Sequence, residues 1–216
     1  MIILRLRLRS LKRLMDVKIC GLRRVEDALM VNKFENIKYA GLVFANTKRK
    51  VTVEQAIAIK NALRKDIKTV GVFTELSAEK INEIARAVGL DICQLHSDES
   101  NEDCSSVCTE VWKAIRVKNE DSIKDAESFT NSNGFVLDKY KANEYGGTGE
   151  IFNWNIAKDF SKKHFTILAG GLNKDNILSA IEIVKPDVVD LSSSVETDGY
   201  KDYEKIKEFV LTVFDV

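Results

Sequence analysis

The sequence predicts an α/β fold, a single-domain (β/α)8 TIM barrel, from three observations. Eight short β-branched or apolar runs are present, amphipathic stretches of helical period separate them, and composition does not break over about 200 residues. Runs this dense in apolar residues, alternating with helices, read as parallel strands buried on both faces. A doubly wound open sheet would show the same alternation. Neither GxGxxG nor GxxxxGK[ST] follows any strand, which counts against dinucleotide and P-loop readings.

In chain order the strands are expected at VKIC (17–20), YAGLVF (39–44), KTVGVF (68–73), DICQL (91–95), VWKAIRV (111–117), GFVLD (134–138), FTILA (165–169) and DVVDL (187–191). Helices are expected over 25–34, 53–63, 78–88, 154–160, 174–184 and 203–214. Ile81, Ile84, Ala85 and Val88 illustrate the apolar face that their spacing builds. Two further helices, about 99–108 and 120–131, are weakly patterned.

With 216 residues, 44% apolar and 31% charged, the chain has the balance of a globular domain rather than of a disordered or collagen-like one, and four Cys are too few for a disulfide scaffold. Basic and acidic residues number 33 each, so no global charge draws the chain to nucleic acid or to a membrane, and neither is expected as a partner. The zero is an average of unlike parts. Residues 1–14 carry Arg5, Arg7, Arg9, Lys12 and Arg13 without an acid, leaving 15–216 at 28 − 33 = −5. Residues 15–216 are read as the catalytic barrel. The basic segment, faintly similar to an organelle transit peptide, is read as a loose extension or an over-called start, since Met15 directly precedes the first strand.

No apolar run approaches the roughly 20 residues of a membrane span, and the basic segment lacks the apolar stretch of a secretory signal. A cytoplasmic location with reduced thiols is therefore expected for Cys20, Cys93, Cys104 and Cys108. Cys104 and Cys108, four apart with no His nearby, suit packing better than metal binding, and no metal or organic cofactor is expected.

Barrels of this kind work at the C-terminal ends of their strands. Those ends offer Cys20, then Arg49 in the loop after the second strand, His96, Asp138, the loop Gly146–Gly147–Thr148–Gly149, Gly170–Gly171 and Asp190. Cys20 suits either a buried packing group or a thiol that acts as base or nucleophile once ionised. Asp138 suits either a loop-solvating carboxylate or a catalytic acid. The glycine loop, with Gly147 and Gly149, lets backbone N–H groups approach a ligand closely. LAGGLNKDN (168–176) ends a strand in Gly-Gly and enters a helix through Asn173, a natural phosphate seat. VDLSSSVE (189–196) adds the amides and hydroxyls of Ser193 and Ser194 beside it.

Taken together, VKICGL (17–22), GLVFA…KRKV (41–51), VGVF (70–73), QLH (94–96), LD…GGTG (137–149), LAGGLNKDNI (168–177) and VDLSSSVE…GYKD (189–202) resemble the phosphoribosylanthranilate isomerase family of tryptophan biosynthesis, in its order and over about nine-tenths of the chain. The resemblance implies an Amadori rearrangement of a small phosphosugar, with Asp138 as general acid and Cys20, as thiolate, removing the C2′ proton. It implies that Arg49 meets the anthranilate carboxylate and that His96 and Asp190 face substrate. Gly147, Gly149, Gly170, Gly171, Ser193 and Ser194 would then hold the phosphate.

Four positions depart from the family pattern: Arg23 for Thr, Ser97 for Gly, Glu150 for Lys and Ser194 for Gly. The alternatives are another sugar-phosphate barrel, such as an epimerase or indole-glycerol-phosphate synthase, or a diverged non-catalytic phosphate-binding barrel. The synthase would want a catalytic Lys and acidic residues at strand ends, and none of the expected strands ends in a Lys. Sequence leaves monomer and homodimer both open.

Overall fold

Each run that reads as a strand is one, and the eight strands close on themselves. The structure is a computed structural model and describes residues 15–139 and 151–214. Strands β1 (Asp16–Cys20), β2 (Ile37–Val43), β3 (Lys68–Phe73), β4 (Ile92–Leu95), β5 (Glu110–Val117), β6 (Gly134–Lys139), β7 (Thr166–Leu168) and β8 (Val188–Leu191) pair in parallel in that order. β1 pairs with β8 as well, with Lys18 opposite Asp190, which removes both sheet edges.

Helices α1 (Val25–Val31), α2 (Val53–Ala62), α3 (Ala78–Val88), α4 (Asn101–Ser106), α5 (Glu120–Ala126), α6 (Ile177–Val184) and α7 (Tyr203–Phe214) connect or follow the strands. Local chemistry sets their ends. Thr52 and Gln55 form a capping box at the start of α2, Ser77 caps α3, and Gly89 ends α3 in the left-handed conformation. The weakly patterned α4 and α5 are shorter than their expected spans: Ser100 and Asn119 cap their starts, and polar residues dominate both.

The stretch 154–160, expected as an α-helix, is a 3-10 turn over Trp154–Ala157 followed by further turns. Rings hold the segment instead: Phe160 lies edge-on to Phe135 at 5.1 Å and stacks on His164 at 4.4 Å. A two-stranded hairpin that the sequence did not announce follows β8, with β9 (Glu196–Thr197) antiparallel to β10 (Tyr200–Lys201). Its strands are too short for a periodic signal, and the turn at Asp198–Gly199 has positive φ at both residues.

Strand alternation sorts the side chains into layers. Val17 and Ile19 join the large apolar cluster shared with the helices, whereas Lys18 and Cys20 face the barrel axis. Inside the barrel, Trp112, Val70, Ile92, Ile167 and Val188 form a separate apolar layer with Tyr39 packed against it. Lys18, Gln94 and Asp190 form a polar layer, and Cys20 packs with Val43, Ala45 and Val72 at the mouth. The interior is thus apolar at its base and chemically equipped at the C-terminal ends of its strands. No helix among the described residues is long and apolar enough to cross a membrane.

Candidate active site

The mouth opens into a cavity of about 570 Å³ that gathers Cys20, Arg49, His96, Asp138, Asp190, Gly170, Gly171, Ser193 and Ser194. Every expected site residue within the described chain lines it. Gly147 and Gly149, with the rest of the loop 146–149 and Glu150, lie outside the described residues, as does the basic segment 1–14.

Cys20 ends β1 and is half-buried; Gly21 turns the chain away at φ +85°. Gly41 on β2 makes room for it, since a Cβ there would stand 2.8 Å from the Cys20 Cα and Sγ. Burial pushes the thiol up, and Lys18 opposes that shift ahead of Lys201 and Arg49.

Asp138 is buried on β6 beside Gly170. A Cβ at Gly170 would come within 2.4 Å of its Oδ1, and φ there is +79°, so only glycine lets the chain pass. The Lys139 N–H donates to Oδ1 at 2.7 Å. Burial nevertheless pushes the carboxyl up to about 6, against that hydrogen bond, with Asp190 adding to the rise. A carboxylic acid with a proton to give near neutrality is the result.

Between these two sit polar atoms without protein partners. Among the described residues, His96 Nε2 and Asp190 Oδ1 are buried and accept or donate no hydrogen bond. Such atoms are costly unless a ligand meets them. Burial, then Lys113, pushes His96 down to about 4, so it faces the cavity as neutral imidazole.

At one side, Arg49 donates from Nε and Nη2 to the two carboxylate oxygens of Glu196, both at 2.8 Å. Lys201, buried, donates to Glu196 Oε1 at 2.7 Å and to the Ser192 carbonyl at 3.1 Å. Although burial opposes it, Arg49 and Lys201 together hold Glu196 down at about 2. Arg49 is therefore not one of three loose charges in a basic run: the hairpin aims it across the cavity rim.

The opposite rim is backbone. Gly170 and Gly171 both have positive φ, and their loop meets Ser193 and Ser194 on the short turn after β8. Asn173 was expected to open a helix here. The regular helix starts later, at Ile177. Asn173 caps the turn before it, its Oδ1 accepting from the Asp175 and Asn176 N–H groups and its carbonyl from Ile177. Lys174 and Lys205 also border this end of the cavity, which suits a phosphate.

Two of the departures from the family pattern have structural partners. Arg23 and Arg24 place their guanidiniums 4.8 and 4.0 Å from the Tyr200 ring centre, and Arg23 donates to the Gly199 carbonyl, pinning the hairpin to the loop after β1. The Ser97 hydroxyl accepts from the Glu75 N–H and donates to Glu99, tying the loops after β3 and β4 together. Sequence reasoning missed Lys18, Gln94, Glu196 and Lys201. Lys18 and Gln94 were detectable as polar residues inside otherwise apolar strands, two positions before Cys20 and His96. Glu196 and Lys201 gave no such signal, because their hairpin was not foreseen.

Residues 17–212 match the family model described as N-(5′phosphoribosyl)anthranilate (PRA) isomerase. The chain is 46% identical over 198 residues to N-(5′-phosphoribosyl)anthranilate isomerase of Thermoanaerobacter sp. (strain X514), covering 91% of this chain and 97% of the relative. Its fold superposes on crystalline phosphoribosyl anthranilate isomerase of Thermotoga maritima with a TM-score of 0.85 at 33% identity, over 94% of this chain and all (100%) of the other. A phosphoribosyl anthranilate isomerase in complex with reduced 1-(o-carboxyphenylamino)-1-deoxyribulose 5-phosphate superposes with a TM-score of 0.82 at 33% identity, over 94% and 100% of the two chains.

Proposed function

The chain belongs to the N-(5′-phosphoribosyl)anthranilate isomerase family, and from that premise we propose that Cys20 and Asp138 divide the proton work of its Amadori rearrangement. The reaction converts N-(5′-phosphoribosyl)anthranilate into 1-(2-carboxyphenylamino)-1-deoxyribulose 5-phosphate. Asp138 donates its proton to the furanose ring oxygen as the C1′–O bond breaks, which leaves a protonated Schiff base. The Cys20 thiolate then takes the C2′ proton, and the released electron pair forms C1′=C2′ and neutralises the nitrogen. The enolamine gains a proton at C1′ and loses the one on O2′ to give the ketone. Two protons are added and two removed, so substrate and product are isomers.

One observation carries the assignment: a buried carboxyl held near 6 and a thiol beside a buried cation share one cavity with two unpartnered polar atoms. General acid and base catalysis needs such a pair, one protonated and one ionised at the same moment. Arg49 is suited to the anthranilate carboxylate through its planar guanidinium, the edge that faces away from Glu196 being open to it. Asp190 and His96 are suited to the sugar hydroxyls. The amides around Gly170, Gly171, Ser193 and Ser194 are suited to the phosphate.

Turnover is followed as loss of fluorescence from freshly prepared N-(5′-phosphoribosyl)anthranilate, with the product identified by mass. The expected product has the mass of the substrate. A product lighter by carbon dioxide and water, or no turnover by folded protein, contradicts the reading.

A further inference from the structure

Strand β1 carries a lysine where the inside of a barrel ordinarily holds an apolar side chain. Lys18 is fully buried, at 0% exposure, and the alternation that aims Cys20 inward aims Lys18 inward as well. Its Nζ donates to Asp190 Oδ2 on the adjacent β8 at 2.6 Å and to Gln94 Oε1 on β4 at 3.0 Å. It also lies within hydrogen-bonding reach of the Cys20 sulfur. An ammonium has three N–H groups; two are fixed by Asp190 and Gln94, and the third is available to the thiolate.

We infer that Lys18 is a positioning residue for the isomerisation: it favours the ionised form of Cys20 that accepts the C2′ proton, against the burial that disfavours it, and it fixes Asp190 so that the second carboxylate oxygen faces substrate. The inference rests on the assignment of Cys20 as base. The charged groups facing Cys20 are Lys18 on β1, Asp190 on β8, Lys201 on β10 and Arg49 in the loop after β2. Arg49 and Lys201 are both engaged by Glu196, and Lys201 by the Ser192 carbonyl too. Lys18 is the cation on the same inward face of β1 as Cys20, and its charge favours the thiolate more than that of Lys201 or Arg49. Burial works against a charge on Lys18, yet Asp190 and Cys20 together raise it above its ordinary value, so it stays protonated throughout the pH range of interest. Asp190 opposes ionisation of Cys20, which makes the two anions competitors for one ammonium.

The test is the pH dependence of Cys20 alkylation by iodoacetamide, read by mass spectrometry of the Cys20 peptide in the intact chain, with exposed Cys108 as internal reference. Lys18→Met is expected to raise the alkylation midpoint of Cys20 by about one pH unit or more. Its kcat should fall about tenfold or more while KM stays within about threefold. Lys18→Arg should restore most of both. Asp190→Asn, by freeing the ammonium for sulfur, should move the midpoint the other way. Opposite shifts from the two partners are not produced by a merely structural role. A folded Lys18→Met protein with the wild-type midpoint overturns the inference. Where Lys18→Met does not fold, Asp190→Asn decides: a lower midpoint supports the inference, and an unchanged or higher one overturns it. Undiminished turnover by Cys20→Ser would instead overturn the assignment of Cys20 as base, a separate failure.

Discussion

In its proposed role as general acid, Asp138 holds a proton before the sugar ring opens and bears a charge afterwards, and its burial favours the first state. Its pKa rises from an ordinary 3.8 to about 6 through burial. The folded value exceeds the unfolded one, so the unfolded chain loses this proton first as pH rises. The associated stability is full below about pH 3.8, declines through pH 6 and is flat above. Asp138→Asn, which keeps an acceptor for the Lys139 N–H, is therefore expected to stabilise the fold by about 1–3 kcal/mol at pH 7. The gain should vanish near pH 4, as urea titrations at the two pH values would show. For catalysis the acid is the lower and the thiol the higher of the two values, so the productive pair is a minority species. The profile of kcat/KM should rise to about pH 6, stay level up to the thiol pKa and fall beyond it. Cys20 and Asp138 were legible in the sequence as the closing residues of their expected strands, and His96 as the residue after one. Lys18 was passed over although it is visible as a lysine inside an apolar run, on the same strand face as Cys20; its partner Asp190 is seen opposite it only once β1 meets β8.

Strand and loop elements matter here for how closely they let chains pass. Gly41 on β2 and Gly170 after β7 leave room for the two reacting side chains, and in both cases a methyl group would meet backbone or the site itself. Gly170→Ala adds left-handed strain of roughly 1–2 kcal/mol and displaces Asp138, so kcat should fall while a modest loss in Tm is seen by calorimetry. Gly41→Ala should act on Cys20 in the same way, at a cost of about 1–3 kcal/mol for overpacking. The hairpin β9–β10 supports the opposite wall. Lys201→Met leaves Glu196 with Arg49 as its one cation and the Ser192 carbonyl without its donor, and is expected to destabilise by about 1–3 kcal/mol. Tyr200→Ala only loosens the hairpin, and should raise KM more than it lowers kcat as Arg49 loses its bearing. Eight strands were legible because each is a dense apolar run. The segment 154–160 misled because Ile156, Ala157 and Phe160 are spaced like a helix face, whereas Phe160 is held by ring contacts with Phe135 and His164.

Across the whole molecule, charge is distributed against expectation for a protein that binds a phosphosugar carboxylate. Residues 15–216 carry a formal −5, so on the proposed reading binding comes from local donors at the mouth, Arg49 and the backbone amides after β7 and β8. Because those donors are short-ranged, substrate affinity should depend on individual residues far more than on net charge. A chain begun at Met15 is accordingly expected to keep the kcat and Tm of the longer one; Met15 packs in the core and the family match starts at residue 17. Eight strands alternating with helices, and the side chains at their C-terminal ends, follow from patterning; closure into a barrel rather than an open sheet is seen only where β1 pairs with β8. What these could not supply was the pairing of Lys18 with Asp190 and of Arg49 with Glu196, contacts made only once β1 meets β8 and the hairpin folds back. The division of proton work between Cys20 and Asp138 is tested most directly by kcat for wild type, Cys20→Ser and Asp138→Asn on freshly prepared N-(5′-phosphoribosyl)anthranilate. Both variants should fold and lose about 100-fold or more, and a folded variant within about tenfold of wild type would contradict the role of the residue it replaces.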